Sequence, residues 1–314
     1  MTGAPCTGGP RRRLGRLVSA LALVITGCSG TDPQAPPRPA AGVAVASFNF
    51  AESRLLAEIY AQALEHEGVE VRRELDLGPR ELVMPAMRQG LVDIVPEYLG
   101  TALTAAEPTA AADPSDADAV HRALAEAVAP WDLEVLQHAA AQNQNGLVVT
   151  RSTATRLSLR TTSDLADVAP TLRLGGPPEC PERAYCLQGL GDVYGLTFAD
   201  FVPLDGQSLV RRGLVDEVID VGVLFTTDGA VAGSDLVLLD DDRALQPAEN
   251  VVPLARAEVL DGPRGEVVAA TLDAISARLT TANLQFLNWR VAVAGNTPAA
   301  EARGWLIRQG LVDR

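Results

Sequence analysis

The chain has 314 residues, 47% hydrophobic but only 4% aromatic, and its 26 cations against 40 carboxylates give a net charge of −14. Such an acidic chain argues against a nucleic-acid partner, because a phosphate backbone is met by a basic face. Its length exceeds what a single hydrophobic core usually holds, so two lobes are expected.

Residues 1–27 read as an export signal. Arg11, Arg12, Arg13 and Arg16 form a basic n-region, and Leu17 to Thr26 is an apolar run of ten residues, too short to span a bilayer. It ends in Ile25-Thr26-Gly27-Cys28, which resembles the lipobox of bacterial lipoproteins. There the chain is cut before the Cys and the sulfur takes a diacylglycerol; an ordinary signal peptide with an incidental Cys is the alternative. Residues 28–42 are rich in Pro and Ala without apolar periodicity and read as a flexible tether behind the lipidated Cys28. Loss of the signal's four arginines takes the net charge to −18. The expected location is outside the cell, on the outer face of the cytoplasmic membrane or in the periplasm. No later segment has 18 consecutive apolar residues, so no membrane span is expected.

From Val43 the pattern alternates. GVAVAS is a short strand, and AESRLLAEIYAQALEHEG places Leu55, Leu56, Ile59, Tyr60, Ala63 and Leu64 at helical spacing. VEVRRELDL is a strand, Pro79 opens a helix through Arg88, and LVDIV is a buried strand that completes a β-α-β-α-β unit with a parallel sheet. A helix over 114–129 is capped by Ser115 or Asp116. A second round follows: strand 146–150 (GLVVT), a short SDLADVA helix capped by Ser163, strand TLRLGG, a helix over 181–190, TFADFVPL, a helix around Ser208 to Arg212, and strand IDVGVLF. NVVPLAR (250–256) is the last strand. Three helices over 266–281, 283–294 and 298–309 bring no new sheet and should pack on the first lobe.

The fold class is therefore α/β and bilobed: 43–145 with 255–314 as lobe 1, 146–254 as lobe 2, and two extended crossings between them. Ligands of open α/β sheets bind beyond the carboxyl ends of the strands. Two strand ends echo each other there, since Asp93 precedes Tyr98 by five residues just as Asp220 precedes Phe225. Cysteine usage fits export. Cys6 leaves with the signal and Cys28 takes the lipid, so Cys180 and Cys186 are most simply read as one local disulfide. A metal site would need two further soft ligands, and His66, His121 and His138 show no ligand spacing. No cofactor motif is found.

SFNFAES (47–53), GLVDIVPEYLGT (90–101), QNGLVVT (144–150), SDLADVA (163–169), Arg183 eleven residues before Tyr194-Gly195, and FTTDG (225–229) together resemble the substrate-binding lipoproteins of ABC importers for quaternary amines such as glycine betaine, choline and carnitine. The likeness covers residues 43–312. It implies a type II periplasmic-binding-protein fold, a small-molecule ligand, and a permease with its ATPase as partners. It also implies an aromatic box for the ammonium group, whose methyls donate no hydrogen bond and are met by ring faces, with the ligand carboxylate held by Arg, Lys and Thr. Tyr98 and Thr101 match the family's PEYxGT, and Arg183 matches its carboxylate-gripping Arg. Departures are plain: Phe48 stands for the Lys before Asn49, Asn145 or Gly146 for a Tyr at the first crossing, Phe225 for a Tyr before Thr226, and Glu249 for a Tyr at the second crossing. A cleft with Phe48, Tyr98, Phe225 and Glu249 would attract a cation, and a neutral polar or aromatic ligand fits too.

Each residue has a plainer reading as well. Tyr98 would serve a core, Thr101 a helix cap, Arg183 a surface pair with Glu179 or Glu182, Asp228-Gly229 a turn, and Asn145 or Asn250 a turn at a crossing. Phe48 and Phe50 alternate, and Phe48 is expected in the cleft beside a helix N-terminus that favours an anion. An enzyme is not expected: there is no GxSxG, no HExxH, and no His near a candidate Ser. A lipid-anchored hydrolase is thus the weaker alternative, and a sensor or scaffold of the same fold is the other.

Overall fold

The computed structural model describes residues 42–229, 231 and 235–313. The export signal, Cys28 and nearly all of the tether lie outside the described residues. In chain order the elements are β1 (Val43–Ala46), α1 (Ala51–His66), β2 (Val71–Glu74), α2 (Arg80–Arg88), β3 (Ile94–Tyr98), α3 (Leu99–Ala106), α4 (Ala117–Val128) and β4 (Leu133–Val135). Then come β5 (Asn145–Thr150), α5 (Arg151–Leu157), β6 (Arg173–Gly176), α6 (Leu187–Tyr194), β7 (Asp200–Pro203), α7 (Gln207–Val215), β8 (Val221–Phe225) and β9 (Leu236–Leu238). β10 (Val251–Arg256), α8 (Gly262–Ser276), α9 (Thr281–Ala292) and α10 (Pro298–Arg308) close the chain. Among the described residues no helix is long and apolar enough to cross a membrane.

Two five-stranded sheets share one plan. The first runs β2-β1-β3-β10-β4 and the second β7-β6-β8-β5-β9. In each, three strands are parallel, as the β-α-β-α-β pattern requires, and a returning strand lies antiparallel beside the third: β10 against β3, β5 against β8. Sheet membership changes between Val135 and Asn145 and again between Leu238 and Val251. There the two crossings lie side by side, bridged at Gln142 and Asn250, with the Asn143 N–H donating to the Glu249 carbonyl at 2.9 Å.

Alternation along the strands builds two layers on each sheet. Val43, Val45, Ile94 and Val251 face α1, α8, α9 and α10 through Leu55, Leu272, Leu284 and Trp305, which places the terminal helices on the first sheet. Ala44, Ala46, Val95 and Val252 face α2 and α4 through Val83, Met87 and Leu124. In the second sheet Val149, Leu174, Val221 and Val223 pack toward α6, while Val148 and Leu224 meet α7.

Several expected elements shift, the helix expected over 266–281 running instead over Gly262–Ser276. The SDLADVA helix is a single 3-10 turn, Thr162–Leu165, entered from Thr161 rather than Ser163, because the Asp164 carboxylate turns back to accept the N–H groups of Arg160 and Thr161 at 2.8 Å. The helix expected over 181–190 begins only at Leu187, since Pro181 and the Cys180–Cys186 disulfide bend the preceding residues into a 3-10 turn. After Tyr98 the chain enters α3 directly, with no gap between strand and helix. Gly100 permits this: a Cβ there would come within 2.6 Å of the Pro247 side chain crossing above it.

Candidate functional site

The echo between Asp93 and Asp220 is structural. Asp93 Oδ2 accepts the Ala44 N–H at 2.9 Å and Asp220 Oδ2 accepts the Arg173 N–H at 2.9 Å, so each carboxylate holds the start of the parallel strand next to its own. An arginine backs each one, Arg256 at 3.4 Å and Arg173 at 3.0 Å. The carboxyl ends of those two strands then converge. Tyr98, last in β3, and Phe225, last in β8, both meet the ring of Phe50, with centroids 6.2 and 6.1 Å away. Phe50 thus stands between the two sheets.

Phe48 does not take the expected place in the cleft. It is 3% exposed and belongs to the core under α2. One side of its ring stacks on Phe50 at 6.0 Å with planes 8° apart, and the Arg80 guanidinium lies 5.2 Å from its centroid. The alternation of Phe48 and Phe50 was the right signal, with the faces exchanged: Phe50 is the half-buried ring. Asn49 between them is exposed.

The anion expected at the N-terminus of α1 is supplied by the chain itself. Glu52 lies in the first turn of that helix, where a negative charge is favoured, and it is 5% exposed. Its Oε1 accepts from Tyr98 Oη at 2.7 Å and from Asn143 Nδ2 at 2.8 Å; Oε2 accepts from Asn288 Nδ2 at 2.5 Å. The Thr227 hydroxyl completes the set. Burial raises the Glu52 pKa, against the pull of these donors, and burial likewise pushes the Tyr98 phenol up, with Glu52 beside it adding to the effect. One carboxylate therefore joins α1, β3, a crossing, α9 and the loop after β8.

That loop is docked closely. Asn288 Nδ2 also donates to the Thr227 carbonyl at 2.9 Å, and Gln285 Nε2 to the Thr226 carbonyl at 3.0 Å. Thr226 Oγ1 accepts the Gln144 N–H at 3.0 Å. Gly229 is required here, because a Cβ would fall 2.3 Å from the Trp289 nitrogen. Asp228, read as a turn residue, forms a buried ion pair with Arg211.

Thr101 and Glu249 are brought together. Glu249, at the second crossing, is 5% exposed and accepts the Thr101 hydroxyl at 3.0 Å and a backbone hydrogen bond from the same residue, so it caps α3. Burial raises its pKa to about 7; the Thr101 donors and Arg80 oppose the rise, and Glu97 adds to it. Arg80 is itself committed to Glu97, donating from Nε at 2.7 Å and from Nη2 at 2.8 Å.

Arg183 lies inside the disulfide loop, 56% exposed, and its partner is Glu81 of α2 at 3.5 Å rather than Glu179 or Glu182. It thus spans from the second sheet's unit to the first at the rim. Asn145 opens β5 and donates to the Tyr185 carbonyl at 3.4 Å, while Asn250 donates to the Ala139 carbonyl at 2.8 Å. Beside Asn145, a pocket of about 210 Å³ is lined by Gln144, Tyr185, Thr226, Gln246 and Asp240 among others.

Among the residues of this assembly that escaped the sequence reading are Glu52, Arg80, Glu97, Asn143 and Asn288. A carboxylate in the first turn of α1, two residues after Phe50, was the available signal for Glu52. Glu97 and Arg80 carried none, because their pairing depends on the register of β3 against α2.

The chain is similar to several transport proteins. The glycine-betaine-binding protein of Pseudomonas aeruginosa is 29% identical over 311 residues, covering 96% of this chain and 97% of that one. The carnitine transport binding protein OpuCC of Listeria monocytogenes is 25% identical over 269 residues, covering 84% of this chain and 85% of that one. A solved glycine betaine/carnitine/choline ABC transporter protein superposes with a TM-score of 0.75 at 26% identity, covering 86% of this chain and 100% of that one. The family model for the substrate binding domain of ABC-type glycine betaine transport systems matches residues 41–308, and the chain belongs to that family.

Proposed function

We propose that this protein captures a small organic cation or polar osmolyte, of the glycine betaine, choline or carnitine kind, between its two lobes and delivers it to an ABC importer. Lobe 2 is the segment between the paired crossings at 142–143 and 249–250, and lobe 1 is the rest of the folded chain. The observation that carries the reading is the ring of Phe50 standing between Tyr98 and Phe225, the ends of matching strands from the two sheets. A ligand touching both strand ends favours the closed arrangement, and its binding energy is the only source of that shift.

Tyr98, Thr101, Phe50, Asn145, Phe225, Thr226 and Glu249 form the proposed ligand surface, with Arg183 at its rim. A lipid on Cys28 would hold the protein at the outer face of the membrane, beside a permease and its ATPase. The relatives named for betaine and carnitine binding support this reading. Titration with glycine betaine, choline, carnitine and a wider solute panel tests it. The expected result is a rise in melting temperature with a decrease in radius of gyration by X-ray scattering for at least one member. No shift in either quantity across the panel would overturn the clamp.

A further inference from the structure

Glycine betaine carries a carboxylate, and among the described residues the arginines beside the strand ends already have carboxylate partners. Arg80 is clasped by Glu97, Arg211 is paired with Asp228, and Arg183 sits at the rim against Glu81. What the crossings present instead are acceptors. Glu249 is a buried carboxylate whose donors both belong to one residue, Thr101. Asn143, 8% exposed, gives its Nδ2 to Glu52, and its Oδ1 has no hydrogen-bond partner among the described residues. The two residues are joined through the Asn143 N–H and the Glu249 carbonyl. A buried acceptor left without a donor is unfavourable, and N-methyl groups cannot supply one.

The rings point the same way. A box for a fully methylated ammonium needs open ring faces, yet Phe48 is stacked on Phe50 and met by Arg80, and Tyr98 is 5% exposed with its hydroxyl bound to Glu52. The family's tyrosine positions hold Phe225, Glu249 and Asn145 or Gly146. Fewer free faces and more acceptors favour a cation that donates.

We propose that this site prefers small cations that carry N–H donors and no carboxylate, with Glu249 and Asn143 as the residues that set the preference. The inference rests on the two-lobed solute-binding reading above, keeps its clamp, and departs from its quaternary amines in favour of cations that donate.

A methylation series at constant charge provides the test: ethanolamine, its N-methyl and N,N-dimethyl derivatives, and choline, with glycine betaine beside them, titrated calorimetrically into the unaltered protein. Affinity should fall along the series by about tenfold or more in all, with glycine betaine weaker still. Glu249→Gln should bring ethanolamine to within about twofold of choline. Near pH 6.5 ethanolamine binding should release a proton, seen as a heat that depends on the buffer's ionisation enthalpy, and Glu249→Gln should abolish this. The groups facing Glu249 are Thr101, Arg80 and Glu97; Glu52, also buried with a raised pKa and bonded to Asn143, is a second carboxyl able to lose a proton, and the Glu249→Gln variant separates the two. Choline binding as tightly as ethanolamine, or glycine betaine binding tightest, would overturn the preference and leave the clamp standing. No binding by any of these or by carnitine, with no compaction, would overturn both.

Discussion

Replacing Glu249 by Gln should stabilise the ligand-free protein, and by an amount that depends on pH. Burial lifts the carboxyl from 4.5 to about 7. A raised pKa in the folded state means that the folded protein holds a proton that the unfolded chain has released between those two values. The favourable contribution of this group is therefore complete below about pH 4.5 and is lost as pH rises through 7. At 1.36 kcal/mol per pKa unit, the ionised carboxylate costs about 3 kcal/mol of stability above neutrality. Gln keeps the shape and an oxygen for the Thr101 donors, so it removes the charge and little else. Denaturant unfolding at pH 5 and pH 8 checks this. The variant should match the parent within about 1 kcal/mol at pH 5 and exceed it by about 2–3 kcal/mol at pH 8, or roughly 4–12 °C in melting temperature. A difference independent of pH, or one in which the parent gains as pH rises, would refute the reasoning.

Arg80→Ala should cost about 3–5 kcal/mol in denaturant unfolding, because Glu97 is fully buried and its guanidinium partner is the charge that compensates it. Gly229→Ala should cost about 2 kcal/mol or more and weaken ligand capture as well, since a Cβ 2.3 Å from the Trp289 nitrogen forces the loop after β8 away from α9. Loss of the Cys180–Cys186 bond in a double Ser variant should cost about 2 kcal/mol, the short loop giving a small entropic gain. The same variant leaves Asn143 and Glu249 in place and loosens only Arg183 at the rim, so affinity for a cation without a carboxylate should fall far less than stability.

Much of the fold was legible because it rests on local periodicity. The β-α-β-α-β unit, the terminal helices on the first sheet and the two crossings follow from apolar spacing and from helix stops at Gly68 and after Arg88. The returning strands β5 and β10 read as strands, but their antiparallel direction is decided by partners more than 70 residues away in sequence for β5 and more than 110 for β10. Tyr98 and Phe225 were singled out by position, and both reach Phe50.

What sequence spacing did not reveal is which of two alternating rings faces which layer. Phe48 is buried under Arg80, while Phe50 turns to Tyr98 and Phe225. Nor did it show that an internal carboxylate, Glu52, already fills the helix N-terminus where a ligand anion was expected. Both outcomes depend on long-range pairs, Arg80 with Glu97 and Glu52 with Asn143 and Asn288, which leave no periodic trace.

The central claim is that the jaw formed at Phe50 closes on a small organic cation. Mass spectrometry of solutes released from the purified protein on denaturation measures this directly, with a Phe50→Ala variant prepared in parallel. The account predicts a near-stoichiometric organic cation from the parent and its loss from the variant. A stoichiometric anion or sugar, or a cation retained equally by Phe50→Ala, would contradict it.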